Sequence, residues 1–226
     1  MATRQKLATG SPDRALQALD RAVAFAEHGA ADAKVVLVSP EDLRTLPAGE
    51  VRSRLDRLII APHADLGLDA LLSASVLDAL LPEVKSMVGF GDGEFRHKDV
   101  WKHTKQVVTQ AEPRLEVRWS ALFHDIGKLH GALSDIFHEQ SKLTPEERRA
   151  VRTHPQRGAE VLAPLSAFYP DLGKGVAAHH ERWDGTGYPR GLKGKRIPLV
   201  ARVVAIADSF DAITYRRRYS HARSFA

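Results

Sequence analysis

There is no cysteine among the 226 residues, which excludes disulfides and thiolate-held zinc. Any bound metal must therefore be held by nitrogen and oxygen, and eleven histidines are available for that. No apolar run approaches the roughly 18 residues that a membrane span requires. The N-terminus lacks the apolar core of a signal peptide. A cytoplasmic protein without membrane contact is the expectation. Low-complexity blocks are missing too, and 43% hydrophobic with 27% charged residues is the composition of an ordinary globular chain. The length suits one domain plus an extension, or two small domains.

The net charge of +5 is unevenly placed. Residues 1–95 carry 10 Lys/Arg against 14 Asp/Glu, whereas residues 96–226 carry 23 against 14. The basic half also holds most of the histidines. Such a distribution fits an anionic substrate such as a phosphate ester, or nucleic acid, or simply a solvated basic surface.

The hydrophobic pattern is helical almost throughout. Ser11-Pro12 opens an amphipathic helix over 11–30. Val35-Val36-Leu37-Val38 is β-branched and short, and is ambiguous between strand and coil. Helices are expected from Pro40, over 50–61 and over 67–81. Gly89-Phe90-Gly91-Asp92-Gly93 marks a boundary between an N-terminal helical extension (1–95) and a main domain (96–226). In that domain helices are expected over 99–111, 115–127, 155–166, 171–183 and 199–215. Another starts at the Thr144-Pro145-Glu146-Glu147 cap. A Gly/Pro-rich loop covers 184–198. The fold class that follows is all-α.

Chemistry-bearing residues recur on these helices. Asp99 and His103 are four apart and share a face. His124-Asp125 closes the most apolar helix, His154 precedes a proline, and His179-His180 are adjacent. Asp208 lies in the apolar run Val203-Val204-Ala205-Ile206-Ala207, where an ionised carboxylate costs several kcal/mol unless paired or metal-bound. Each alone reads as a packing or surface residue; together they read as a metal site.

The segments Leu122-Phe123-His124-Asp125-Ile126-Gly127-Lys128, Leu143-Thr144-Pro145-Glu146-Glu147, Thr153-His154-Pro155 and Gly158-Ala159-Glu160-Val161-Leu162 resemble the HD superfamily of metal-dependent phosphohydrolases. The run His179-His180-Glu181-Arg182-Trp183-Asp184-Gly185-Thr186-Gly187-Tyr188-Pro189 is similar to the signature of its HD-GYP branch, and the likeness continues to Phe210-Asp211-Ala212. It covers roughly residues 96–219. Upstream, His97–Thr104, Arg118–Leu122 and Leu80–Val84 resemble the HD region of tRNA nucleotidyltransferases.

The resemblance implies an HD-domain helical bundle around a multi-metal site that hydrolyses nucleotide phosphodiesters, typically cyclic di-GMP. One divalent ion, iron or manganese, would take His103, His124, Asp125 and Asp208. Asp125 would bridge to a second ion on His154, His179 and His180. Asp99 falls where some members place a glutamate for a third. A hydroxide bridging two such ions is a strong nucleophile at neutral pH. Asp125 and Lys128 are then the catalytic pair, with Lys128 also holding a phosphate oxygen as a point charge. Tyr188 either lines the substrate pocket or packs its loop. Arg217 matches a phosphate-contacting arginine, although Thr214-Tyr215-Arg216-Arg217-Arg218-Tyr219 departs from the family's Thr-Ser-Asp-Arg-Pro-Tyr run. Two other readings stand beside this one. The first is a non-catalytic module that binds a nucleotide or a signalling protein through the GYP loop, or forms a homodimer. The second is an RNA-end phosphohydrolase.

Overall fold

The computed structural model describes residues 10–30, 34–90, 100–129, 133, 136 and 143–214. Among these residues every regular element is helical, so the chain is all-α. None of the described helices is long and apolar enough to cross a membrane. The chain divides into two compact units, Met1–Lys85 and Ser86–Ala226.

The first unit is built from α1 (Pro12–His28), α2 (Pro40–Arg44), α3 (Ala48–Ile60), α4 (Ala64–Ser73), α5 (Val76–Leu80) and α6 (Pro82–Lys85), with α1 packed on α3 and α4. Ser11 caps α1 and Gly29 ends it in the left-handed conformation that glycine adopts without strain. Ser39 and Asp42 form a reciprocal capping box at α2. The Asp42 carboxylate also accepts from the Ser11 backbone at 2.6 Å, which ties the start of α1 to α2. The ambiguous Val35–Val38 run is coil: Val35 and Leu37 are exposed, while Val38 is buried and donates its N–H to Ala74 O at 3.1 Å. The helix expected over 67–81 is two helices. Ser75 has φ 61°, and a non-glycine residue in that region cannot continue a right-handed helix.

The second unit contains α7 (Val100–Gln110), α8 (Leu115–Phe123), α9 (Pro145–Val151), α10 (His154–Val161), α11 (Leu172–Ala177) and α12 (Leu199–Thr214), with short 3-10 turns at Ile126–Leu129, Ala163–Ala167 and Gly194–Arg196. Helix α8 is central, packing on α7, α11 and α12. Every residue from Val117 to Phe123 is buried, and Trp119 stacks on Phe123 at 5.7 Å. Full burial of Leu122 or Phe123 contributes roughly 1.5–3 kcal/mol each. Arg118 turns its buried guanidinium onto the last turn of α7, donating to Ala111 O at 3.1 Å, where helix carbonyls lack partners. Helix α11 comes close to α8 at Gly175, where a Cβ would lie 2.5 Å from Ser120 Oγ.

Three expected helices are shorter than their apolar patterns. The one expected over 115–127 stops at Phe123, and the chain enters the Ile126–Leu129 turn. There Gly127 passes so close to α10 that a Cβ would lie 2.0 Å from His154 O. Similarly, 171–183 is helical only to Ala177, and 155–166 gives way to a 3-10 turn after Val161. These early stops expose helix ends at which ligating side chains converge.

Candidate metal centre

Each histidine of the centre is set by a local backbone contact. His124 at the end of α8, His154 at the start of α10 and His179 after α11 place Nδ1 at 2.7, 2.8 and 2.6 Å from the carbonyls of Ala121, Val151 and Val176, three residues back in each case. A carbonyl only accepts, so Nδ1 carries the hydrogen and the Nε2 lone pair points inward. His103 on α7 is fixed differently, by the Asp211 carboxylate at 2.6 Å from its Nδ1.

With the rings so oriented, two groups of ligating atoms form, each within 4.8 Å of one another: His103, His124 and Asp208, and Asp125, His154, His179 and His180. In the first, His103 Nε2 lies 3.3 Å from His124 Nε2 and 3.1 Å from Asp208 Oδ1. In the second, His154 Nε2 lies 3.3 Å from His179 Nε2 and 3.4 Å from Asp125 Oδ1. Asp125 faces both groups, since its Oδ2 is 3.4 Å from His124 Nε2.

The second group consists of acceptors facing acceptors. Burial, reinforced by the nearby Lys128 charge, drives the His154 pKa well below the ordinary histidine value; burial beside the His180 and His124 rings does the same for His179. Burial and His154 lower His180 to about 3. Neutral His154 and His179, with Nδ1–H already engaged, have no hydrogen to place between their Nε2 atoms. Asp125 Oδ1, also buried, has no hydrogen-bond partner. Burial would raise the Asp125 carboxyl, but His124 and Lys128 beside it hold it well below the usual carboxylate range. A cation among these lone pairs removes the repulsion, and imidazole with carboxylate is a donor set for divalent transition metals. In the first group burial alone would lower His103, yet the bonds to Asp208 and Asp211 outweigh it and raise its pKa. Burial acts oppositely on Asp208, and His103 and His124 nonetheless hold that carboxyl well below its ordinary value. This group too draws positive charge to its centre. The residues present fit metal binding.

Lys128, buried in the turn after Asp125, places Nζ 3.0 Å from Asp125 Oδ2 and so stands at the carboxylate between the two groups. Tyr188 lies half-buried with its ring stacked on His180 at 4.7 Å between centroids. Asp99 and Arg217 lie outside the described residues. The remaining residues singled out from the sequence all come together here.

Two carboxylates at the centre carry roles that the sequence reading did not assign. Asp211 is buried one helical turn after Asp208 and orients His103. Its spacing to Asp208 was the available signal. Glu181 is also buried and accepts from the backbone N–H of Arg190 and Leu192, each at 2.8 Å. It pins the loop that carries Tyr188 against the centre, and only the loop's dense run of turn residues hinted at such a staple.

A helical bundle with His/Asp clusters at converging helix ends defines a metal-binding class of protein. Residues 100–225 match the family model described as HD domain, and the chain belongs to that family. Among curated relatives it is 43% identical over 109 residues to a cyclic di-GMP phosphodiesterase of Thermotoga maritima, covering 48% of this chain and 29% of that protein. It is 34% identical over 186 residues to a 3'3'-cGAMP-specific phosphodiesterase of Vibrio cholerae (81% of this chain, 40% of that protein). A cyclic di-GMP phosphodiesterase of Pseudomonas aeruginosa is 45% identical over 108 residues (46% and 25%). The chain thus spans well under half the length of these relatives. The nucleotidyltransferase resemblance of the upstream stretch has no counterpart among these matches.

Proposed function

We propose that the Ser86–Ala226 unit is a metal-dependent phosphodiesterase that hydrolyses a cyclic nucleotide, with a cyclic dinucleotide as the preferred class. The observation that carries this reading is the pair of converging His/Asp clusters with Asp125 between them. The names of the relatives support the substrate class, and the basic balance of the second half suits an anionic ligand.

The seven residues His103, His124, Asp125, His154, His179, His180 and Asp208 would hold two divalent ions, iron or manganese. When bound, such ions polarise phosphoryl oxygens and lower the pKa of bound water. The chain's own residues do the remainder. The backbone carbonyls of Ala121, Val151 and Val176 hold three imidazoles in the ligating tautomer before any ion arrives, so little reorganisation accompanies binding. Asp125 presents one oxygen to each group. Lys128 brings a fixed positive charge to the site where a phosphate must approach, and a preorganised charge in a buried site stabilises developing negative charge more than it does in water. Tyr188, stacked on His180, supplies an aromatic wall beside the cluster.

The test is incubation of the purified chain with ferrous iron or manganese and a panel of cyclic di-GMP, 3'3'-cGAMP, cyclic mononucleotides, 2',3'-cyclic phosphates and a model diester. Metal-dependent hydrolysis of a cyclic dinucleotide is expected. Binding of nucleotide without turnover would support the non-catalytic module instead, and hydrolysis confined to 2',3'-cyclic phosphates would support the RNA-end reading.

A further inference from the structure

Beside the centre stands a basic residue that no part of the metal site requires. Arg152 follows α9, its backbone N–H bonded back to Ala150 O and Arg148 O, and it precedes His154 by two residues. The corner that delivers His154 therefore also delivers Arg152. Its guanidinium carbon lies 5.2 Å from the centroid of the Tyr188 ring. Tyr188 is itself held to the centre twice, by ring stacking on His180 and by its N–H donating to His180 O at 3.1 Å.

Several exposed arginines of the chain are committed to ion pairs. Arg44, Arg57, Arg149 and Arg182 each pair with a carboxylate. Arg152 is exposed and has no carboxylate partner among the described residues. A guanidinium resting on an aromatic ring keeps its in-plane N–H donors for a ligand, and its planar fork matches two oxygens of one phosphate.

Two cations thus flank the centre at different depths. Lys128 is buried and bonded to Asp125, so its charge is committed to the group that reacts between the clusters. Arg152, at the surface and separated from the cluster by Tyr188, is poorly placed for that same group and well placed for a second anion on the same ligand. Cyclic dinucleotides carry two phosphodiesters; cyclic mononucleotides and simple diesters carry one. We propose that Arg152, braced on Tyr188, binds the second phosphate of the substrate and so selects two-phosphate ligands over single diesters. This rests on the phosphodiesterase reading above and specifies its selectivity.

The test compares the metal-loaded wild type with Arg152→Gln and Arg152→Lys. Two readouts are used: calorimetric binding of cyclic di-GMP, and turnover of bis(p-nitrophenyl) phosphate, which has one phosphodiester. Arg152→Gln is expected to weaken cyclic di-GMP binding about tenfold, as for loss of a hydrogen bond to a charged group. That loss should exceed the change in KM for the model diester by a similar factor. Lysine should recover only part of it, because the paired donors are gone. Unaltered cyclic di-GMP binding in Arg152→Gln, or equal losses on both ligands, would overturn the assignment. A wild type that turns over the model diester while Arg152→Gln binds normally sinks the Arg152 role alone. A wild type that neither turns over the diester nor binds cyclic di-GMP sinks the phosphodiesterase reading and this inference together.

Discussion

Replacing Asp211 with asparagine should remove one metal site and spare the other. Asp211 touches the centre through His103, whose Nδ1 it holds at 2.6 Å in a buried, charge-assisted bond. The Asn side chain keeps the size but loses the charge, and its amide must turn its oxygen to the imidazole to keep any bond. His103 then loses both an orienting partner and the carboxylate that raises the basicity of its ring. Removing such a carboxylate behind a ligating histidine costs about 10- to 100-fold in metal affinity. His103 belongs to the group with His124 and Asp208, whereas His154 and His179 of the other group are oriented through the Val151 and Val176 carbonyls. Chelator competition followed by metal analysis should therefore show one ion per chain becoming weakly held while the other keeps its affinity. Equal weakening of both ions, or of neither, would refute the idea that Asp211 acts through His103.

Gly127→Ala should destabilise the second unit by about 1–3 kcal/mol, the usual cost of overpacking, because its Cβ would meet His154 O at 2.0 Å. The displaced His154 should also loosen the second ion, and thermal melts with metal analysis read both effects. Lys128→Met should retain the metal, since one positive charge near the ions is removed, yet lower turnover about 100-fold through loss of a preorganised cation. Metal content and kcat measured on one preparation separate these outcomes, and metal loss with Lys128→Met would contradict them. In the first unit, the Asp42 carboxyl is lowered from 3.8 to about 2 by backbone hydrogen bonds from Ser39 and Ser11. A depressed folded-state pKa gives stability that is present above the unfolded value and lost as pH falls through the folded one. Acid titration of Asp42→Asn should therefore lack the part of the stability change that wild type shows between those two values, and should melt lower at neutral pH.

The fold class was legible because helical periodicity and caps are local. Ser11-Pro12, Ser39-Pro40 and Thr144-Pro145 each start a helix where their side chains predict. Helix ends were less legible, since they answer to tertiary contacts. Nothing in Leu115–Gly127 announces that the helix must stop at Phe123 so that Gly127 can pass against His154. The positive φ of Ser75 is equally silent in the sequence. At the centre, inward-pointing ligands were legible as unexpected polar residues in apolar segments. Asp211 and Glu181 were not, because a carboxylate whose partner is a distant imidazole or a loop N–H looks locally like any other. Asp99 and Arg217, together with the third ion and the phosphate contact expected of them, fall outside the described residues.

The central claim is that Asp125 joins two clusters which hold divalent ions. It is tested most directly by elemental analysis of the purified chain beside Asp125→Ala, with the folded state of each checked by circular dichroism. About two transition-metal ions per wild-type chain, and their loss from a folded Asp125→Ala, is the predicted result. A folded wild type that takes up no divalent metal, or an Asp125→Ala that holds both ions as tightly as wild type, would contradict it.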